Sequence, residues 1–206
     1  MEQILLIDKP SGITSFDVIR HLRRKLGIRK MGHGGTLDPL ATGLMIIGIN
    51  EGTKRLTEFL GLPKEYEVLI EFGKVSNTYD ADGEISDGSK RKVVRDEFEK
   101  TLKDFIGEIS QTPPAFSAKK INGQRAYELA RKGQVVELKP QKITISAIEI
   151  LNFSWPFVKL RIACSKGTYI RSLAHDLGQK LGCGGYVKEL RRTRIGNCRV
   201  EDATAI

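Results

Sequence analysis

The residues best placed for chemistry lie in the stretch GHGGTLDPLATG, residues 32–43, where His33 and Asp38 stand in a glycine-rich turn before an apolar run. A carboxylate on such a turn can be held rigidly with its oxygens facing a cleft, which suits nucleophilic catalysis. The alternative is a structural aspartate whose oxygens accept hydrogen bonds from nearby backbone N–H groups. For His33, the alternative is a turn histidine hydrogen-bonded to backbone. The residue types alone leave these alternatives open.

Other chemistries lack the spacing that they need. The glycines of residues 32–35 form neither G-x-G-x-x-G nor a P-loop, because no Lys-Ser/Thr pair follows at the right distance. In DADGEISDG, residues 80–88, the acids resemble those of a calcium loop, but the glycine is at the fourth position and the closing glutamate is missing. The Asp-Gly pair predicts a hairpin turn instead. No local signature of a Ser, Cys or His triad occurs, so the sequence offers carboxylate chemistry or none.

The charge of the chain favours a polyanionic partner. The 206 residues carry a net charge of +9 at pH 7, and the excess is clustered. Such clusters suit nucleic acid, although a solvated basic face without a partner would give the same pattern. The clustered residues are Arg20, Arg23, Arg24, Lys25, Arg29 and Lys30, then Arg191, Arg192, Arg194 and Arg199.

The N-terminal sequence and the number of cysteines predict a cytoplasmic protein. The N-terminal MEQILLIDKP has an apolar core too short for a signal peptide, and no apolar run approaches the length of a membrane span. Cys164, Cys183 and Cys198 are odd in number and lie far from the three histidines. This disfavours a disulfide framework or a zinc site, so a reducing compartment is expected.

The apolar patterning alternates strands and helices in one domain over residues 1–206. A helix is predicted to begin at Thr14 or Ser15, to bury Phe16, Ile19, Leu22 and Leu26, and to stop at Gly27. Further helices are predicted around residues 98–106 and 170–181, and a long loop over residues 111–124. Strands are predicted at residues 4–8, 44–50, 65–73, 142–151 and 158–165. Because no regular βαβ rhythm appears, the predicted class is α+β, with a mixed, mainly antiparallel sheet flanked by helices and loops.

Six ordered blocks carry a family resemblance through almost the whole chain. GHGGTLDPLATGLMIIGINEGTK, residues 32–54, closely resembles the catalytic motif of the TruB-type tRNA pseudouridine synthases. The other blocks are DKPSGITSFDVI (8–19), KEYEVLIEFGKVSNTYDADGE (64–84), QTPPAFSAKKINGQRAYELARKG (111–133), SKGTYIRSLAHDLGQKLG (165–182) and LRRTRIG (190–196). The resemblance implies the pseudouridine synthase fold. It also implies isomerisation of uridine 55 in the T loop of tRNA, without a metal or organic cofactor.

The resemblance also implies the roles of individual residues. Asp38 would be the nucleophile, Tyr66 would stack against the target base and help to move a proton, and Arg171 would form an ion pair with Asp38. A two-pronged arginine contact favours the ionised carboxylate and fixes its orientation. His33 would fill the stack that the flipped base vacates. Whether Asp38 attacks the base or the sugar stays open.

Further residues would contact the RNA or support the site. Residues 111–133 resemble the mobile RNA-clamping segment of the family, and the cations there would bind phosphates without reading bases. Tyr169 would line the pocket, and Lys9 and Leu190 match family positions near the active site. The clamp residues assigned to RNA binding are Lys119, Lys120 and Arg125.

The sequence departs from the family pattern at three positions and at its end. The family commonly has threonine at Gly34 and an alanine-histidine pair at Gly185 and Tyr186; Gly34 is expected to loosen the loop that carries His33. The chain stops at VEDATAI, so a bare catalytic domain without the RNA-binding PUA domain of most relatives is expected. The expected partner is accordingly the T arm of tRNA, bound by a monomer without a guide RNA. The alternative function is a non-catalytic tRNA-binding or RNA-folding module on the same fold.

Overall fold

The computed structural model describes residues 3–117, 119–121, 123–134, 136 and 138–206. The chain divides into two compact units. The first unit comprises Met1–Val68, Arg161–Lys166 and Glu189–Ile206, and the second comprises Leu69–Leu160 and Gly167–Lys188. Each unit is described separately below.

Strands of a mixed sheet form the frame of the first unit. β1 (Gln3–Lys9) runs antiparallel to β3 (Thr42–Ile49) over its whole length and pairs in parallel with β14 (Thr204–Ala205). β3 pairs in parallel with β12 (Gly185–Ile195) at Thr42 and Gly43, and antiparallel with β2 (Met31–His33) at its other end. Two further strands are β4 (Lys64–Phe72) and β11 (Phe157–Cys164). The strand order is β14-β1-β3-β12-β4-β11, and β13 (Cys198–Arg199) pairs with β12. The first unit also contains two α-helices, α1 (Ser15–Leu26) and α2 (Leu56–Leu60). It contains two 3-10 helices as well, at Asn50–Arg55 and Val200–Asp202.

Helix α1 begins and ends where the sequence predicts. The Thr14 hydroxyl accepts a hydrogen bond from the Asp17 N–H, and the Asp17 carboxylate accepts one from the Thr14 N–H, which is a capping box. Gly27 closes the helix in the left-handed conformation. The N-terminal cap and the C-terminal stop were both correctly predicted from residue types.

The buried face of α1 is narrower than predicted. Val18, Ile19 and Leu22 are buried, but Phe16 is 55% exposed and Leu26 is 45% exposed. The guanidinium groups of Arg20 and Arg23 lie over the Phe16 ring, 5.9 and 5.7 Å from its centroid. These cation–π contacts let the ring stay on the surface.

The second unit carries the remaining strands. Its sheet order includes β4-β11-β10-β7, and β10 (Gln141–Ser154) pairs antiparallel with β7 (Gly107–Gln111). β5 (Lys74–Ser76) and β6 (Ile85–Asp87) form a separate hairpin around the predicted Asp-Gly turn. β8 (Lys120–Ile121) and β9 (Gln124–Arg125) form a second hairpin inside the segment predicted as a loop. The mixed, largely antiparallel pairing in both units, together with the helices, confirms the predicted α+β class.

Three helices belong to the second unit: α3 (Arg95–Lys103), α4 (Ala126–Arg131) and α5 (Ile170–Lys180). α3 is shorter than predicted: it buries Phe98 and Leu102 but ends before Ile106, which is 46% exposed. Phe98 meets the Phe72 ring edge-on, with centroids 5.6 Å apart, and Trp155 stacks on Phe72 at 5.3 Å. This aromatic cluster anchors α3 to the sheet.

Gly185 and Tyr186, two of the departures from the family pattern, have packing reasons in this unit. A Cβ at Gly185 would lie 2.9 Å from the Phe72 ring and 3.0 Å from the carbonyl oxygen of Ala174, closer than side chains tolerate. The Tyr186 hydroxyl donates to the Glu71 carboxylate at 2.6 Å. Both residues are therefore fitted to neighbours on β4.

Glu71 is buried on β4, with 4% of its surface exposed. The alternating pattern of EYEVLIEFG is typical of a strand with one solvated face, on which Glu71 would lie, so its burial departs from that pattern. Tyr186 and Lys188 both donate to one carboxylate oxygen, and Lys74 pairs with the other at 2.9 Å. Burial alone would raise the pKa of Glu71, but the hydrogen bonds from Lys188, Tyr186 and Lys74 lower it to about 2.

Among the described residues, no helix combines the length and the apolar character that a membrane crossing needs.

The Glu71 network predicts a pH-dependent contribution to stability. Because the folded pKa lies below the ordinary 4.5, the contribution is complete above pH 4.5 and is lost as the pH falls toward 2. We expect Glu71→Gln to lower the free energy of unfolding at pH 7 by about 2 kcal/mol, and the difference from wild type to vanish near pH 2. Urea unfolding across this pH range measures both. Glu99→Gln, at an exposed ion pair of α3, is the matched control, and a Glu71 effect that did not change with pH would contradict the assignment.

Candidate active site

Asp38 lies in the loop of residues 34–41, which connects β2 to β3 in the first unit. Every backbone carbonyl from residue 35 to residue 40 accepts a hydrogen bond from the protein. The donors in chain order are Arg192 Nη2 for Gly35 (3.3 Å), Arg192 Nη1 for Thr36 (3.3 Å), Ser15 Oγ for Leu37 (3.1 Å), Ala41 N for Asp38 (3.1 Å), Gly12 N and Lys9 Nζ for Pro39 (2.9 and 3.1 Å), and Ser11 Oγ for Leu40 (2.9 Å). The loop is thus preorganised around the carboxylate.

Ser15 forms two hydrogen bonds with the backbone of Leu37, the residue before Asp38. Its hydroxyl donates to the Leu37 carbonyl and accepts from the Leu37 N–H at 2.8 Å. Ser15 is buried, and it is the first residue of α1. The helix start therefore sets the position of the Asp38 backbone.

Lys9 holds the same loop from β1. Its side chain is fully buried, and its ammonium donates to the carbonyls of Pro10, Ile13 and Pro39 at 2.9, 2.7 and 3.1 Å. A buried ammonium needs such acceptors, because its desolvation is otherwise costly. Its bonds to Pro39 and to the 10–13 turn give Lys9 a supporting role beside Asp38, rather than a surface that RNA could reach.

Tyr66 and Arg192 lie beside the Asp38 loop in the same unit. Tyr66 is half-buried on β4, whereas Arg192 is 2% exposed on β12. Burial raises the pKa of Tyr66, the positive charge of Arg192 acts in the opposite direction, and the negative charge of Asp38 adds a smaller rise. β4 is the neighbour of β12 in the sheet, and the Glu65 carboxylate, next to Tyr66 in sequence, accepts a hydrogen bond from the Thr193 hydroxyl, next to Arg192, at 2.8 Å. This strand contact brings Tyr66 and Arg192 near each other.

His33 ends β2 and is half-buried. Burial lowers the pKa of its imidazole below the ordinary 6.5, and the charge of Arg192 lowers it further. The ring is therefore neutral at physiological pH, which favours stacking in place of a base. Leu190 is buried on β12, and its carbonyl accepts from the Thr42 hydroxyl at 3.4 Å.

Gly34 is held more firmly than the sequence suggests. Its N–H donates to the Ile46 carbonyl at 2.8 Å, which ties the start of the loop to β3. A Cβ at this position would lie 3.5 Å from Leu56 and from Phe59, an ordinary contact. The threonine common in the family would therefore meet no backbone obstacle at its Cβ.

Arg171 belongs to the second unit, where it pairs with Asp80. Its Nη1 lies 3.3 Å from Asp80 Oδ2, and both side chains are 5% exposed. The same guanidinium donates to the carbonyls of Thr78 and Phe116 at 3.1 and 2.9 Å. The ion pair between Arg171 and Asp38 that the sequence suggested stays a prediction.

Tyr169 caps the start of α5, so the extended segment ends there and Arg171 lies in the first helical turn. The amide of Gln111 is bonded to the Tyr169 backbone twice: its Nε2 donates to the carbonyl at 3.0 Å, and its Oε1 accepts from the N–H at 2.8 Å. Ser172 donates to the Thr112 carbonyl at 2.7 Å. The segment that begins at Gln111 is thus fastened to the helix that carries Arg171.

The predicted clamp, residues 111–133, contains the β8–β9 hairpin and helix α4. Lys119 is half-buried, and its carbonyl accepts from the Ala126 N–H at 2.7 Å. The backbones of Lys120 and Arg125 pair with each other across the hairpin, while their side chains fall outside the described part of the structure. The role of these cations in binding RNA stays a prediction.

Sequence reasoning does not single out Arg192, which supports the Asp38 loop in the first unit, or Asp80, which pairs with Arg171 in the second. The residue types predict only a turn at Asp80 and a clustered positive charge at Arg192. The available signal was their position inside blocks of family resemblance, residues 64–84 and 190–196.

Comparisons with known proteins decide the family. Residues 23–170 match the family model of the TruB family pseudouridylate synthase, N-terminal domain. The chain belongs to the TruB family. Residues 171–206 match the tRNA pseudouridylate synthase B C-terminal domain, so the boundary between the two TruB models falls at the start of α5.

Relatives within the TruB family cover nearly all of the chain. It is 50% identical over 208 residues to tRNA pseudouridine synthase B of Aquifex aeolicus, spanning 100% of this chain and 72% of that protein. It is 48% identical over 206 residues to tRNA pseudouridine synthase B of Bacteroides fragilis, spanning 97% and 88%. The fold is similar to a chain in the crystal structure of a Cbf5-Nop10-Gar1 complex, with a TM-score of 0.78, 30% identity and 98% of this chain covered. This chain spans about half of that chain's length, 52%.

Ser15 gives the loop geometry a direct test. Ser15→Ala leaves both the N–H and the carbonyl of Leu37 without their buried partner, so we expect a loss of about 2 kcal/mol in the free energy of unfolding. Ser11→Ala is the matched control: it removes one exposed hydrogen bond to the same loop, and we expect a loss of about 0.5 kcal/mol. Equal losses in the two variants, measured by urea denaturation, would contradict the account of Ser15.

Proposed function

We propose that this chain isomerises uridine 55 in the T loop of tRNA to pseudouridine, with Asp38 as nucleophile. The observation that carries the proposal is the Asp38 loop, in which six consecutive backbone carbonyls accept hydrogen bonds from the protein. The similarity to the TruB family, including proteins named tRNA pseudouridine synthase B, supports the substrate class.

The reaction requires little more than a positioned carboxylate. The bond between N1 of uracil and C1′ of ribose breaks, a bond from C5 to C1′ forms, and the proton on C5 is replaced by one on N1. Atoms and electrons balance without an oxidant or a group donor. The Asp38 carboxylate either forms a transient adduct, with base or sugar, or stabilises the detached intermediate.

Tyr66 and Arg171 complete the proposed catalytic set. Tyr66 stacks against the uracil ring and, with a hydroxyl kept protonated by its raised pKa, can donate or relay a proton. We assign Arg171 a second carboxylate, Asp38, in addition to Asp80, because a guanidinium has donors enough for two anions and would keep Asp38 ionised.

Binding requires that the nucleotide be extruded from the folded loop. His33, as a neutral aromatic ring at the end of β2, occupies the place that the base vacates. Tyr169 and Leu190 line the pocket, and Lys119, Lys120 and Arg125 bind phosphates of the T arm. The protein acts as a monomer without a guide RNA, and a tRNA substrate puts it in the cytoplasm.

Replacing the nucleophile tests the proposal. Because an amide cannot supply the carboxylate, Asp38→Asn should form no detectable pseudouridine while its affinity for tRNA stays within about twofold of wild type. Mass spectrometry of nucleosides from an unmodified tRNA transcript measures the product, and filter binding measures the affinity. Asp87→Asn, at an exposed position of β6, is the matched control and should retain full activity. Firm binding without product in wild type would favour the RNA-binding module instead.

The proposed contacts all involve the T arm, so a T-arm minihelix should serve as substrate. We expect its kcat/KM to lie within about fivefold of that for whole tRNA. A minihelix with uridine 55 replaced by cytidine is the control and should give no product. A preference for whole tRNA of about a hundredfold or more would contradict recognition through the T arm alone.

A further inference from the structure

Arg192 is a buried cation with carbonyl partners. It is 2% exposed, and its Nε donates to the Leu44 carbonyl at 2.8 Å, in addition to the bonds from Nη1 and Nη2 to Thr36 and Gly35. Within the described part of the chain, no carboxylate lies within ion-pair distance of it. A buried guanidinium that lacks a salt bridge is costly to desolvate, so its retention calls for a function.

The position of Arg192 is fixed by its backbone as well. β12 and β3 pair in parallel with Arg192 opposite Gly43. A Cβ at Gly43 would lie 2.3 Å from the Arg192 carbonyl oxygen, and Gly43 has a φ of +102°, so only glycine allows this approach. This close pairing fixes the backbone from which the Arg192 side chain extends to the carbonyls of Gly35 and Thr36.

From that point Arg192 reaches three separate elements. Its Nε bonds to Leu44 of β3, and its two Nη atoms bond to the loop two and three residues before Asp38. The third element is the adjacent strand β4, where Glu65 accepts from Thr193 at 2.8 Å and the next residue along is Tyr66. A planar guanidinium can serve several acceptors at fixed angles, which the single ammonium of lysine cannot.

We propose that Arg192 is a positioning residue, which fixes the Asp38 loop and the Tyr66 hydroxyl in one arrangement so that both reach the extruded uridine together. The inference rests on the proposed function of Asp38 and Tyr66. Arg192 does not touch the substrate itself; it acts through these two groups. Its neighbour Arg191 offers a matched comparison, because it forms a two-pronged pair with Asp8 at 3.0 and 2.7 Å and its side chain is 40% exposed.

The first experiment compares Arg192→Lys with Arg191→Lys in single-turnover pseudouridine formation on an unmodified tRNA transcript. We expect the Arg192 variant to lose at least about tenfold in rate with a tRNA affinity within about twofold of wild type, and the Arg191 variant to change by less than about twofold in both. Combining Arg192→Lys with Tyr66→Phe should cost less than the sum of the two single losses in activation free energy, because both changes remove one interaction. Equal rates for the Arg191 and Arg192 variants, or strict additivity with Tyr66→Phe, would overturn the inference.

A spectroscopic readout separates positioning from folding. In protein labelled with ¹³C at the tyrosine ζ carbon, Arg192→Lys should shift the Tyr66 resonance, identified by its loss in Tyr66→Phe, and leave the other four tyrosines unchanged. Should Arg192→Lys fail to fold, Arg192→Gln is the second variant. Wild type itself provides a third test, since the Arg192 guanidinium hydrogens should exchange slowly and show nuclear Overhauser contacts to the Tyr66 ring. Fast exchange without such contacts would overturn the inference.

These results remain distinguishable from a failure of the proposed function. If wild type forms no pseudouridine, the proposed function is wrong, and the Tyr66 resonance and guanidinium exchange still decide whether Arg192 holds the two groups. If wild type is active and the Arg192 variants keep its rate, only the positioning role is wrong.

Discussion

Hydrogen bonding into the carbonyls of residues 35–40 is the constraint on which the candidate active site depends. A glycine-rich loop loses much conformational entropy when it is ordered, and without hydrogen bonds to the rest of the protein it would hold a carboxylate in many positions. Two buried cations, Lys9 and Arg192, supply three of the bonds. Each cation would be costly to bury without carbonyl acceptors, and the carbonyls would be poorly satisfied without the cations. The carbonyls of the loop and the two buried cations therefore depend on each other for hydrogen-bond partners. The packing of β1, β3, β12 and α1 brings these groups together.

In the second unit, the start of α5 is likewise held by hydrogen bonds between side chains and backbone groups. Gln111 bonds both backbone groups of Tyr169, Ser172 bonds Thr112, and Arg171 bonds the Phe116 carbonyl. The first residues of the proposed RNA clamp are thereby joined to the helix that carries the proposed catalytic arginine. These hydrogen bonds tie residues 111, 112 and 116 to the first turn of α5, so a displacement of that segment would also act on Arg171.

Local signals made much of this fold predictable. Thr14, Asp17 and Gly27 set the bounds of α1 through caps that depend only on neighbouring residues. Periodicity was less informative about burial: it placed Phe16 on the core face, but cation–π contacts with two arginines keep that ring exposed. Asp38 could be singled out because glycine and proline flank it. Asp80 and Arg192 could not, because their roles depend on contacts with residues distant in sequence, such as the bond from Arg192 to Leu44 across a separation of 148 residues. Nothing in a single sequence separates such an arginine from a surface one.

Gly185 has a consequence for how this branch of the family could diverge. The space that a methyl group would need at position 185 is occupied by the Phe72 ring, and the neighbouring Tyr186 is bonded to Glu71 of the same strand. Any side chain at position 185 therefore requires the Phe72 ring to shift. A residue at 186 without the hydroxyl would remove one of the donors to the buried Glu71 carboxylate. Positions 71, 72, 185 and 186 are coupled through these contacts, so the effect of a substitution at one of them depends on the residues at the other three.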